Sequence, residues 1–230
     1  MSEKFNILLS FPRSGNTWVR YIVEFISKRP TSQSVVERCT DGFLSKNDVI
    51  STDLNLGVDI SKKTILIKRH SLKLNWDNWT KNNCRLVFLL RNYKEAILRH
   101  ATALGKSNNI SEINKNIVEY IDCLSSYDNF MGQKMCIYYE DLIINPKVEI
   151  QKLMTFLAIP HTKYFVEFFD TYTFHKNTCL QYYKPGTMTH GKIAKLGWHT
   201  QRANSVIVDQ ITTQVKYNEN LYLKYLRRYG

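Results

Sequence analysis

The amino-acid sequence predicts an α/β protein: three layers, α/β/α, around a mainly parallel central sheet. Short apolar runs near 5–11, 63–69, 84–91 and 135–139 alternate with longer segments whose apolar residues recur every three to four positions. Strands that alternate with helices in this way build a parallel sheet covered on both faces. The 230 residues suit one domain, 1–230, large enough to bury a core. A hydrophobic content of 43% with 13% aromatics is that of a globular chain.

The first strand, through Phe5-Asn6-Ile7-Leu8-Leu9, runs into Ser10-Phe11-Pro12-Arg13-Ser14-Gly15-Asn16-Thr17-Trp18 and then a helix over 17–28 carrying Val19, Ile22, Val23 and Ile26. An apolar strand, a Pro/Gly turn and an amphipathic helix are the layout of a phosphate-binding loop. Backbone N–H groups and the positive end of the helix dipole grip an anion there. The pattern is not G-x-x-x-x-G-K-[ST]: the cation, Arg13, precedes the glycine, and Trp18 follows Thr17. Taken alone, the loop also suits a plain turn with Ser14 or Asn16 capping the helix. The stretch 29–62 is polar and predicts no definite element.

A strand over 63–69 breaks into a turn at His70. Open α/β sheets bind ligands outside the carboxyl ends of their strands, so His70 stands where a proton acceptor is useful. Lys68 and Arg69 beside it disfavour the imidazolium, keeping the base free at neutral pH; the alternative is a surface histidine beside two cations. The strand over 84–91 ends in Arg91, and after Asn92-Tyr93 a helix over 93–105 carries Arg99 and His100. A helix over 111–130 and a strand over 135–139 lead into Tyr139-Glu140-Asp141-Leu142, whose acids read as structural, pairing with cations or capping backbone. Helices follow over 146–158, where Ile150, Leu153, Met154 and Leu157 keep a 3.6 period, then 161–170 and 204–226.

In this order, from about residue 5 to the end, the segments resemble sulfotransferases that use 3′-phosphoadenosine 5′-phosphosulfate (PAPS). The resemblance implies a fold like that of P-loop NTPases, PAPS as donor, 3′-phosphoadenosine 5′-phosphate (PAP) as product, and no metal. It makes Arg13, Ser14, Gly15, Asn16 and Thr17 the 5′-phosphosulfate loop and Trp18 an adenine-stacking ring. Lys68-Arg69-His70 is similar to the segment that supplies the family's base, so His70 is the candidate general base and Arg13 the stabiliser of the departing phosphate. His100 is the alternative base. Arg91-Asn92-Tyr93-Lys94-Glu95 is similar to the 3′-phosphate signature, with Arg99 in place of the usual serine. Tyr139 corresponds to a tyrosine lining the adenine pocket. His190 to Trp198 resembles a lid whose cation is Lys192 or Lys195, with Gly191 and Gly197 giving it mobility.

The net charge of +12 points to anionic partners, part of it used by a donor with about four negative charges. The acceptor is expected to be a small molecule or sugar with a hydroxyl or amine, anionic character being compatible with the basic surface. No Lys/Arg-rich tract or nucleic-acid-binding motif is present, so a basic nucleic-acid module is the weaker reading. Gly105-Lys106-Ser107 imitates the end of a kinase phosphate loop, but position 100 is histidine where that motif needs glycine. Five scattered cysteines without Cys-x-x-Cys spacing indicate neither zinc nor a disulfide framework. No run approaches the ~18 apolar residues of a membrane span, and Met1-Ser2-Glu3-Lys4 is polar. The expectation is a cytoplasmic protein without membrane partners. No dimerisation segment is recognisable.

Overall fold

The computed structural model describes residues 6–32, 57–72, 84–160, 162–175 and 196–230. Its strands are β1 (Asn6–Leu9), β2 (Thr31–Ser32), β3 (Leu66–Arg69), β4 (Arg85–Leu90) and β5 (Gln133–Tyr138). They form one sheet in the order β2-β3-β1-β4-β5, and every pairing is parallel. All carboxyl ends therefore meet along one edge. Leu9 is level with Arg69 on one side and Phe88 on the other, so Ser10, His70 and the end of β4 are neighbours.

The helices are α1 (Asn16–Ser27), α2 (Tyr93–Ala103), α3 (Ile110–Asp128), α4 (Tyr139–Ile144), α5 (Pro146–Phe156), α6 (Lys163–Asp170), α7 (Trp198–Arg202) and α8 (Ser205–Tyr217). Successive strand residues point to opposite faces. Ile7, Leu9, Leu86, Phe88 and Leu90 enter a core shared with α2, α3 and α8. Leu8, Leu66, Val87, Leu89 and Ile137 enter a second core shared with α1, α5 and α6. These two cores on opposite faces are the physical content of the three layers. Ile7 to Leu9 of β1 and Leu86 to Leu90 of β4 are continuously apolar because both faces are buried.

Several elements differ from expectation, among them α4 (Tyr139–Ile144), where the sequence predicts no helix. The stretch 29–62 contributes the short edge strand β2, held by a buried network. Arg20 Nε of α1 donates to Thr31 Oγ1 at 2.8 Å, and Thr31 N and Oγ1 donate to Glu24 Oε1. The tail is broken where one helix over 204–226 was expected. Asn218 leaves helical geometry at φ −85°, ψ 64°, and a turn of π-helix at Tyr222–Leu226 follows. Tertiary bonds override local propensity here: Tyr225 Oη donates to Asp128 at 2.6 Å, Tyr229 Oη donates to Glu140 at 2.6 Å, and Lys94 Nζ donates to the Tyr229 carbonyl at 3.2 Å. The five-residue α7 was not foreseen as a helix. Among the described residues no helix is long and apolar enough to cross a membrane.

Candidate active site

The loop after β1 turns through two left-handed residues, Arg13 at φ 66° and Gly15 at φ 101°. A Cβ at position 15 would lie 2.6 Å from the Tyr139 ring, so glycine is required by space as well as by dihedral. Gly15 is the N-cap of α1; among the described residues no side chain caps that helix, and its first turn carries no acid. Neither Ser14 nor Asn16 therefore acts as the cap that the plain-turn alternative needs. Asn16 Nδ2 faces Ser10 Oγ at 3.4 Å and Thr17 Oγ1 faces Asn16 Oδ1 at 3.4 Å. Ser14 is buried, and its Oγ has no hydrogen-bond partner among the described residues. Buried hydroxyls are normally paired, so this one has unspent capacity facing the loop.

The second junction, β4 to α2, is built from side chains. Arg91 is buried; its Nη1 donates to the Arg13 carbonyl at 3.1 Å, and its guanidinium lies 4.2 Å above the Tyr139 ring. Arg91 Nη2 and Arg99 Nη1 each stand 3.6 Å from Glu95 Oε1. Arg91 Nε and Nη2 make no hydrogen bond among the described residues. Burial first, and the Arg91 charge next, work against the charge on Arg99. Among the described residues one carboxylate, Glu95, faces the two buried guanidiniums, an arrangement that suits a further anion. Both junctions fit a phosphate: an uncapped helix start with an idle hydroxyl, and a forked cation with idle N–H groups.

His70 sits at the end of β3 with Nδ1 2.5 Å from the Ser10 carbonyl. A carbonyl only accepts, so Nδ1 carries the hydrogen and Nε2 keeps its lone pair. Burial first, and then the Lys68 charge, push His70 down to about 4, with Arg13 and His100 adding to the effect. Lys68 itself is pushed down to about 8, by burial and then by Arg20 and Arg13. His100 packs edge-on to Phe11 at 5.5 Å, and burial followed by the Arg13 charge lowers it. Arg13 thus acts on both histidines.

The fold brings together Arg13, Ser14, Gly15, Asn16, Thr17, His70, Arg91, Arg99 and Tyr139 along one sheet edge. The two aromatic candidates, Trp18 and Tyr139, are both held in packed positions. Trp18 is packed rather than displayed: it is 7% exposed, stacked on Tyr21 at 5.6 Å and flanked by Phe168 and Tyr172. Tyr139 fills the space between Gly15 and Arg91. Lys192 and Lys195 lie outside the described residues. Glu140 and Asp141 are structural, as expected: Glu140 Oε1 accepts from Asn92 N at 3.0 Å, and Asp141 is gripped at both oxygens by Arg228. Gly105-Lys106-Ser107 is a helix stop. Gly105 has φ 70° and Lys106 N closes on the Ala101 carbonyl at 2.8 Å, which removes the kinase loop. Sequence reasoning passed over Glu95 as a functional group. Its signal was present: Glu95 and Arg99 stand four residues apart, the spacing that stacks side chains on one helix face, and Arg91 lies four residues before Glu95, just ahead of the helix.

An all-parallel α/β sheet thus carries two junctions with idle donors and a histidine at its carboxyl edge. Residues 6–196 match the sulfotransferase domain model, and the chain belongs to that family. It is 25% identical over 182 residues to mouse sulfotransferase 1B1 (66% of this chain, 57% of that protein) and 23% identical over 176 residues to human sulfotransferase 1C2. The chain spans 57–58% of the length of these relatives. Its fold is similar to that of mouse sulfotransferase SULT7A1 complexed with PAP: TM-score 0.64, 13% identity, covering 96% of this chain and 86% of that one. It is similar also to retinol dehydratase in complex with androsterone and PAP: TM-score 0.58, 13% identity, covering 95% and 81%.

Proposed function

We propose that this chain moves a sulfuryl group from PAPS to a hydroxyl or amine of a small-molecule or sugar acceptor, with His70 as general base. The observation that carries this reading is the pair of adjacent junctions with idle buried donors, Ser14 Oγ and Arg91 Nε and Nη2, flanking a histidine whose Nε2 is open. The structural relatives that hold PAP support the choice of donor. Ser14 to Thr17 and Arg13 would hold the 5′ end of the donor, and Arg91 with Arg99 its 3′-phosphate. PAPS, when bound, supplies a sulfuryl group on a good phosphate leaving group. Arg13 stabilises negative charge that develops at the loop.

A base held down to about 4 is a poor match for neutral pH. The same field suggests its own correction: an anion between Arg13 and Lys68 offsets the charges that disfavour the imidazolium, and His70 becomes more basic only when the donor is in place. The Ser10 carbonyl meanwhile fixes the tautomer and leaves Nε2 as the acceptor.

Thermal unfolding tests the reading. 3′,5′-ADP is expected to raise Tm well above any effect of 5′-ADP or ATP, because a forked arginine contact to the 3′-phosphate is worth roughly tenfold or more in affinity. Equal stabilisation by 5′-ADP, or stabilisation that depends on Mg²⁺, rules the donor out.

A further inference from the structure

We propose that Glu95 is a positioning residue whose carboxylate ties the Arg91–Arg99 pair to α7, so that the cationic cluster and α7 respond to an anion as one unit. This rests on reading the cluster as the 3′-phosphate site. The two carboxylate oxygens are used differently. Oε1 stands 3.6 Å from both guanidiniums and accepts no hydrogen bond among the described residues. Oε2 accepts from His199 N at 2.9 Å, Thr200 N at 3.2 Å and Thr200 Oγ1 at 3.4 Å. α7 starts at Gly197 with no capping side chain at that position, so an acid of α2 satisfies its first amides. Glu95 is only 1% exposed, and a carboxylate that deep is held by its partners. The His199 ring shares this field: burial lowers its pKa, Glu95 opposes that, and Arg99, Arg91 and Arg202 reinforce it.

A simpler role is possible for such an acid, a counter-ion that neutralises one arginine. The two roles predict opposite signs. If Glu95 only balances charge, removing it takes a negative charge away from both guanidiniums and anion binding tightens. If it positions, removing it releases α7, lets the guanidiniums drift, and weakens binding of the 3′-phosphate alone.

The experiment compares E95A and E95Q with the parent chain, reading amide hydrogen exchange at His199 and Thr200 without ligand, and calorimetric affinity for 3′,5′-ADP and 5′-ADP. In E95A both amides should exchange about tenfold faster or more. Affinity for 3′,5′-ADP should fall by about tenfold or more, with 5′-ADP affinity unchanged. The carboxamide oxygen in E95Q still accepts from both amides, so protection and part of the affinity should return. Unchanged exchange in E95A, or 3′,5′-ADP binding equal to or tighter than the parent's, overturns the proposal. Should E95A fail to fold, E95Q decides: tighter 3′,5′-ADP binding overturns the proposal, equal or weaker binding upholds it. A parent that does not prefer 3′,5′-ADP to 5′-ADP defeats the donor reading, a result separate from the ligand-free exchange rates.

Discussion

At the carboxyl end of β1 the chain turns through left-handed Arg13 and Gly15 into a helix that no side chain among the described residues caps and whose first turn holds no acid. At the end of β4, the adjacent strand, it turns through Asn92 into a helix capped by Asn92 Oδ1, which accepts from Lys94 N, with Glu95 in the first turn. The first junction offers an anion its backbone and a hydroxyl. The second has closed its backbone and offers guanidiniums instead. An open helix start is a cheap anion site that depends on shape, and so on Gly15. A side-chain site carries more charge but needs a counter-ion, a capped helix and an aromatic floor to hold the arginines still. Tyr139 touches both junctions, under Gly15 and under Arg91.

If the β1 side holds the reacting end, loss of its base should show in turnover and not in binding. His70 is tied to the Ser10 carbonyl, immediately before the loop, so His70→Ala is the sharpest test. Turnover should fall by about 10²–10⁴-fold while 3′,5′-ADP affinity stays within a few-fold. The pH profile follows from the lowered pKa. His70 is neutral above about 4, so kcat/KM rises with pH through about 4 and is level at neutrality. The limb of kcat should lie at higher pH, because a bound anion offsets Lys68 and Arg13. Near-normal turnover in His70→Ala with collapse in His100→Ala would transfer the role to the second histidine.

The β4 side should behave in the opposite way. Arg91→Ala is expected to weaken 3′,5′-ADP binding by roughly tenfold or more, with kcat at saturating donor little changed. Arg91→Lys keeps the charge but loses the fork and the stacking on Tyr139, and should fall between the two. A loss confined to kcat would erase the division between the junctions.

How much of this was legible depended on whether the signal was local. Parallel strands announced themselves as runs such as Leu86 to Leu90, because burial on both faces leaves no polar alternation to blur them. The loop from Ser10 to Trp18 was legible because phosphate loops are short and contiguous. What escaped was tertiary. β2 exists through Arg20 and Glu24, and the tail breaks at Asn218 because Tyr225 and Tyr229 reach Asp128 and Glu140. Trp18 read as a stacking platform, yet Tyr21, one turn on, and Phe168, from a distant helix, enclose it. The capping of α7 by Glu95 joins residues 104 and 105 positions apart, beyond the reach of any periodicity.

The caps offer a gentler probe of the same contrast. Asn92→Ala removes the bond to Lys94 N at 3.0 Å and should lower unfolding stability by about 1 kcal/mol. Denaturant titration reads that loss, and 3′,5′-ADP affinity should move little, since Asn92 serves the helix and not the guanidiniums. A tenfold loss of affinity would mean that the cap, and not the arginines, sets the second site.

Ser14→Ala is the mirror experiment and has the smallest expected effect on the free protein. The Ser14 hydroxyl is buried without a partner among the described residues, so it costs desolvation and returns no hydrogen bond there. Its removal should leave stability within about 0.5 kcal/mol of the parent, or raise it slightly. Binding should tell the other half. If Oγ is held in reserve for the 5′ end of a donor, Ser14→Ala weakens 5′-ADP and 3′,5′-ADP together, by a few-fold each, whereas Arg91→Ala affects the 3′-phosphate alone. A destabilised Ser14→Ala with intact binding would show that the hydroxyl serves the loop's own fold, and the β1 junction would then be an anion site by backbone alone.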